Sequence, residues 1–382
     1  MSPPRHRVYL IPGMFGFARL AGFEYFGHLE RAIADRFRDA GVPLEIRGIP
    51  SLPTASLRRR ARIVARAIAA ETREAGDDEP IHLIGHSTGG LDARLLAMPN
   101  ADLRLAPSQL SWRRQLRNVL TVNAPHYGTP LARFFSTVSG HRLLYALSLI
   151  SVTTLSLGSA PLSLVAHLAA GLGSINVASS VEIKTLDRLT EAITKRLSAE
   201  EREVFHTFMQ GIRYDQGGVL QLMPETMDLF NAAVLDNPEI RYGCVVSASP
   251  PPVTTKAFRA VRSPYAALTA TIYATLHSIT SGSDRRYPYG SPDGTTESAI
   301  AAGVGRRVAA RDSDGVVPTL SMIWGDLLWA GQGDHLDVVG HFRDDRRPAI
   351  HADWMTTGAN FNRARFGGMV DALATRMLST PT

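Results

Sequence analysis

A chain of 382 residues with 45% hydrophobic and 20% charged side chains can bury a large core, which excludes a disordered or fibrous protein. The net charge of +6 is carried by arginines spread along the chain, and the densest cluster, Arg58 to Arg66, falls on a predicted helix as a solvated face, so no nucleic-acid partner is expected. The single cysteine, Cys244, excludes an intramolecular disulfide, and its apolar surroundings mark it as a small buried residue.

At the N-terminus, MSPPRHR runs directly into the apolar run Val8–Ile11 without the basic start, apolar stretch and cleavage site of a secretory signal, so a cytoplasmic location is expected. Val8–Ile11 reads as a buried strand that ends at Pro12-Gly13. Residues 24–40 carry Phe26, Leu29, Ile33 and Phe37 at helical spacing and stop at Gly41. Leu44–Ile49 reads as a strand and residues 55–75 as a long amphipathic helix closed by Gly76.

Next comes IHLIGHSTGG, residues 81–90. An apolar strand leads into Gly85-His86-Ser87-Thr88-Gly89, and a helical segment follows from Leu91 to Ala97. G-x-S-x-G between a strand and a helix is the nucleophile elbow, a turn so sharp that the serine Oγ points out of the sheet. Side chains at 85 and 89 would collide with the neighbouring strand and helix, which is why glycine stands there. In such hydrolases an early loop and the residue after the serine each give a backbone N–H to an oxyanion hole; here these are Met14 or Phe15, and Thr88.

Val119–Val122 is a further strand, followed by NAPHYGTP. Strands alternating with helices predict an α/β protein with a mostly parallel sheet covered on both faces. Residues 131–235 break this rhythm and read as a helical cap inserted over the sheet. From Leu143 to Val181 there is no Asp, Glu, Lys or Arg, yet no run is long enough to span a membrane. Ser198-Ala-Glu-Glu201 has the form of a capping box. Arg241–Ser247 is the next strand; a helix-like segment at 264–280 and a loop at 282–295 follow.

The chain then reaches Asp312-Ser313-Asp314-Gly315 and, later, Gly333-Asp334-His335-Leu336-Asp337. The order Ser87, Asp314, His335 is that of an α/β-hydrolase triad. His335 would take the serine proton and return it to the leaving alcohol, and Asp314 would fix the imidazole tautomer. His86 cannot be the base in the elbow geometry. Asp312 rivals Asp314, and His126, His341 and His351 rival His335.

GHSTGG, TVNAPHYGTPLA, LMPETMDLFN, DSDGVVP and GDHLDVV resemble the bacterial triacylglycerol lipases and related esterases of the α/β-hydrolase fold. The match covers roughly 8–135, 220–247 and 311–342. The resemblance implies a lipase or esterase with the triad Ser87, Asp314 and His335 and no cofactor needed for the chemistry. It also implies a structural Ca²⁺ held by Asp337 and, by approximate spacing, Asp293; a solvated or salt-bridged pair of aspartates is the other reading. Pro12-Gly13 departs from the family's His-Gly, and Thr88 from its usual Gln or Met. A small-molecule or lipid ester is the expected substrate, with membrane or lipid-surface contact through the cap. An acyltransferase or a membrane-lipid acyl hydrolase using the same triad stays open, as does a catalytically dead binding protein of the same fold.

Overall fold

The computed structural model describes residues 3–14, 19–20, 23–72, 78–157, 166, 187, 190–191, 193–195, 197–252, 264–343 and 353–380. Six strands form its main sheet: β1 (His6–Ile11), β2 (Leu44–Gly48), β3 (Ile81–His86), β4 (Leu116–Val122), β5 (Arg241–Ala248) and β6 (Asp326–Gln332). Their order is β2-β1-β3-β4-β5-β6, and every pairing is parallel. Helices flank the sheet, so β1 and β3 are buried along their whole length, as the mostly apolar runs required. This is the α/β-hydrolase fold.

The topology itself locates a site. The chain leaves β1 for β2 on one side and returns to β3 on the other, so the strand order reverses between β1 and β3. The loops after these strands lie at their carboxyl ends on either side of this switch point, the place where open α/β sheets bind ligands.

Local sequence explains the flanking helices. In α1 (Gly27–Asp39), Leu29, Ile33 and Phe37 form the buried stripe, and Gly41 follows at φ +68°. In α2 (Leu57–Glu71), Ala61, Val64, Ala65 and Ile68 are buried. Arg60 is buried with them, contrary to the expected solvated arginine face; it bonds Asp92 and three backbone carbonyls. The elbow helix is α3 (Thr88–Ala97).

The regular elements described within 131–235 are helices: α4 (Pro130–Phe135), α5 (Val138–Leu157), α6 (Ala199–Tyr214), α7 (Gly217–Gln221) and α8 (Pro224–Ala233). The capping box forms, with Ser198 and Glu201 bonded reciprocally. Leu143, Leu144, Leu147 and Leu149 of α5 are buried. Of the later part of the uncharged stretch, residues 158–165 and 167–181 lie outside the described residues. The last part of the expected insertion is hydrogen-bonded to loops of the body. Gly218 N–H donates to Thr54 O at 2.7 Å, and Asn231 Nδ2 of α8 donates to His126 O at 2.9 Å. Among the described residues no helix is long and apolar enough to cross a membrane.

After β5, α9 (Pro264–Thr280) matches the helix-like segment. In this part of the chain α10 (Gly294–Val304), β6 and α11 (Arg363–Leu378) went unread. β6 is a half-buried edge strand, and α11 carries Gly367-Gly368 in its interior, so neither shows a clean period. Cys244 is buried in β5, which pushes its thiol up to about 12 and leaves it inert.

Buried imidazoles set an acid limit on this fold. His82, His86 and His126 are fully buried, and burial pushes all three well below the ordinary imidazole value. In the unfolded chain they protonate near pH 6.5, so stability is complete above that pH and is lost as pH falls below it. While they stay neutral, each removes about 1.4 kcal/mol per pH unit, comparable over two units to a large part of a typical stability. The raised carboxyls of Asp92, Asp334, Asp337 and Asp353 act in the opposite sense over the same range, so the imidazole effect is read by difference: His126→Gln should lose less melting temperature than the wild type between about pH 6 and pH 4. An equal fall in both proteins would contradict this account.

Candidate active site

Ser87 caps α3 at φ +55°, ψ −128°, a backbone region that non-glycine residues avoid. Two glycines allow it. A Cβ on Gly85 would lie 2.2 Å from Gly89 O, and one on Gly89 would lie 2.1 Å from Ile11 O. Ser87 N–H donates to Val122 O at 2.9 Å, anchoring the turn to the end of β4.

The loop after β1 lies against the nucleophile. A Cβ on Gly13 would meet Ser87 Cβ at 2.7 Å and Ser87 Oγ at 3.2 Å. Met14, next in the chain, is buried; Phe15 lies outside the described residues. Thr88 N–H is a first-turn donor that the helix leaves without an intrahelical partner. Arg60 Nη2 donates to Pro12 O at 2.7 Å and holds the loop from behind, while its Nε donates to Asp92 Oδ2 at 2.8 Å. Burial pushes the Asp92 carboxyl up to about 6 even with Arg60 against it.

Asp314 and His335 are brought together. His335 Nδ1 donates to Asp314 Oδ2 at 2.5 Å, with both side chains buried. Asp314 Oδ1 accepts the Val316 and Val317 N–H groups at 2.8 and 2.7 Å. Gly315 sits between them at φ +97°, which turns the chain back on the carboxylate. Oδ2 also accepts Asn123 Nδ2 at 2.9 Å. Asn123, at φ +47° after β4, was not singled out from the sequence; its position opening NAPHYGTP was the available signal. Asp312 is occupied elsewhere, paired with both Arg306 Nη atoms at 2.7 and 2.8 Å.

The His335 loop is tied to the elbow. Its carbonyl accepts His86 Nε2–H at 2.7 Å, and the two rings lie 4.7 Å apart. Among the described residues no hydrogen bond joins His335 to Ser87 Oγ; contacts of this kind commonly close only with substrate bound. The rivals have other partners: His126 Nε2 bonds Thr121 Oγ1 at 3.2 Å, and His341 Nε2 bonds Tyr25 O at 2.9 Å. His351 lies outside the described residues.

The expected cation pair is not assembled. Asp293 is an exposed helix cap whose Oδ1 accepts Thr296 N–H at 2.7 Å at the start of α10. Asp337 is buried, accepts Asp334 N–H at 2.8 Å, and has Asp334 and Asp353 as its acidic neighbours. Burial and mutual repulsion push all three of these carboxyls up, Asp334 to about 6 and Asp353 to about 8. Among the described residues, no three His, Cys, Asp or Glu side chains already surround a common point.

No family model matches the chain, and no curated protein sequence matches it. Solved structures do. EstA from Clostridium botulinum is 14% identical with a TM-score of 0.54, over 100% of this chain and 90% of that one. Staphylococcus hyicus lipase is 14% identical with a TM-score of 0.51, over 99% and 96%. At this identity the likeness is one of fold, and both neighbours share with this chain the α/β-hydrolase architecture.

Proposed function

We propose that the protein is a serine carboxylic-ester hydrolase, a lipase or esterase cleaving hydrophobic acyl esters through an acyl-enzyme on Ser87. The observation that carries this reading is the strained Ser87 elbow, with Gly13 packed on it and the Asp314–His335 pair tied to it through the bond from His86 Nε2–H to the His335 carbonyl. His335 takes the Ser87 proton as Oγ attacks the ester carbonyl, then protonates the leaving alcohol. Asp314 holds the imidazole in the tautomer whose Nε2 accepts. The Met14 and Thr88 N–H groups meet the oxyanion as charge develops. Water, activated by His335, then releases the acid. The names of the structural neighbours, an Est-type protein and a lipase, agree with this reaction class.

The apolar segment from Leu143 supplies the acyl preference in this reading. Its leucines at 143, 144, 147 and 149 are buried; if the segment lines the acyl site, each substrate methylene buried there contributes up to about 0.8 kcal/mol, and if it is core alone, Leu147→Asn should unfold the protein and leave the chain-length profile of any survivor unchanged. A panel of p-nitrophenyl esters should therefore show kcat/KM rising several-fold per two carbons until the pocket is full, and Leu147→Asn should blunt the rise. A flat profile rejects the acyl pocket, and no hydrolysis at all rejects the esterase. Acyl products formed preferentially on an added lipid alcohol would move the reaction to acyl transfer.

A structural cation stays part of the proposal, with different ligands. The acids nearest Asp337 are buried Asp334 and half-buried Asp353, whose oxygens are of the hard kind that Ca²⁺ takes, while exposed Asp293 caps a helix. Three acids cannot all ionise in one buried place without added positive charge. Binding to the folded state alone raises stability. Chelator should lower the melting temperature, added Ca²⁺ should restore it, and Asp293→Ala should leave that response intact. A melting temperature indifferent to both reagents removes the ion.

A further inference from the structure

His86 and Tyr25 lie outside the chemistry just described, yet they join its three loops. Tyr25 Oη is 2.6 Å from His86 Nδ1, and His86 Nε2 is 2.7 Å from the carbonyl of His335. The Gly13 backbone N–H faces the Tyr25 hydroxyl oxygen as an electrostatic partner. Both side chains are buried.

The proton positions follow from the partners. A carbonyl only accepts, so His86 Nε2 carries the hydrogen. Nδ1 of the neutral ring then accepts, and the Tyr25 hydroxyl donates to it. That leaves a hydroxyl lone pair for Gly13 N–H. The chain runs Gly13 N–H to Tyr25 Oη–H to His86 Nδ1, then His86 Nε2–H to His335 O, with each group used in one direction. The Tyr25 backbone is fixed from the same side, because His341 Nε2–H donates to its carbonyl at 2.9 Å. One end of this chain sits beside Met14 on the oxyanion loop, the other on the residue proposed as base, and its middle residue precedes the nucleophile.

We propose that Tyr25 and His86 are positioning residues, a hydrogen-bonded strut that sets the oxyanion loop and the His335 loop against Ser87. This rests on the esterase reading. The strut touches no substrate; it acts through Gly13 and His335. Reactions of this kind are sensitive to displacements of an ångström, and loss of an oxyanion donor has a large effect on turnover.

The test is Tyr25→Phe, which keeps the ring and its packing on Phe26 and removes only the hydroxyl. Active sites are titrated with a serine-directed phosphonate, so that unfolded protein does not count. Turnover per titrated site should fall roughly 10- to 100-fold with KM within about twofold. His86→Gln, which can still donate to the His335 carbonyl, should fall less than His86→Leu. In the His86→Leu background Tyr25→Phe should have little further effect, because one chain is already broken. Wild-type turnover per site in Tyr25→Phe, or full additivity with His86→Leu, overturns the strut. Should Tyr25→Phe not fold, the ranking of the two His86 variants decides the matter alone, and equal losses in both overturn it. A wild type that hydrolyses no ester, or a Ser87→Ala variant that still does, overturns the esterase reading instead.

Discussion

Ser87→Ala should lose ester hydrolysis by roughly 10³-fold or more while the protein stays folded. The loss follows from the proposed role, since without Oγ no acyl-enzyme can form and only oxyanion stabilisation and substrate binding remain. Retention of the fold follows from the surroundings. The alanine keeps the Cβ that packs near Gly13, and among the described residues no hydrogen bond of the serine side chain holds the elbow; its anchor is the backbone bond from Ser87 N–H to Val122 O. Ser87→Gly should be equally inactive yet melt higher, because glycine relieves a φ of +55° that costs other residues about 1–3 kcal/mol, against about 0.5–1 kcal/mol of lost chain freedom. Kinetics on a p-nitrophenyl ester and thermal melts read both effects. Near-normal turnover by folded Ser87→Ala would remove the nucleophile assignment.

Asp314→Asn should reduce kcat by several orders of magnitude, on the order of 10⁴, whereas Asp312→Asn should cost far less. An amide at 314 can still fill the space, but it would present a donor or a weaker acceptor to His335 Nδ1 and favour the wrong tautomer. The bonds from Val316 N, Val317 N and Asn123 Nδ2 converge on this carboxylate and leave it one acceptor direction, which His335 uses. Asp312 instead holds Arg306 and the Ala309 N–H, so its asparagine variant should show its effect in the melting temperature. Larger loss of kcat in Asp312→Asn would move the acid to that position.

Much of this was legible in the chain. The mostly apolar runs at 8–11, 81–84 and 119–122 declare buried parallel strands because both faces of such strands are covered. Gly85 and Gly89 around Ser87 declare the elbow because its backbone approaches other chain within 2.2 Å of where a Cβ would stand. The Asp-Gly turn at 314–315 and the position of His335 declared a pair that the fold then placed in hydrogen-bond contact. These are local signals, each fixed by sterics or periodicity within a few residues.

What the chain alone could not show is decided by partners distant in sequence. Arg60 reads as one of a row of solvated arginines until Asp92 and the carbonyl of Pro12 surround it. Asn123 acquires meaning only when Asp314, 191 positions away, comes within 2.9 Å. Asp293 and Asp337 look like a pair at suitable spacing, yet one caps an exposed helix while the other is buried beside Asp334 and Asp353. Composition and period determine which segments become strands, helices and sharp turns, because those depend on neighbours along the chain. The identity of the groups that share a buried charge or a hydrogen bond is settled by the order of strands in the sheet, because only that order brings the loops after β1, β3, β4 and β6 to one end of the molecule.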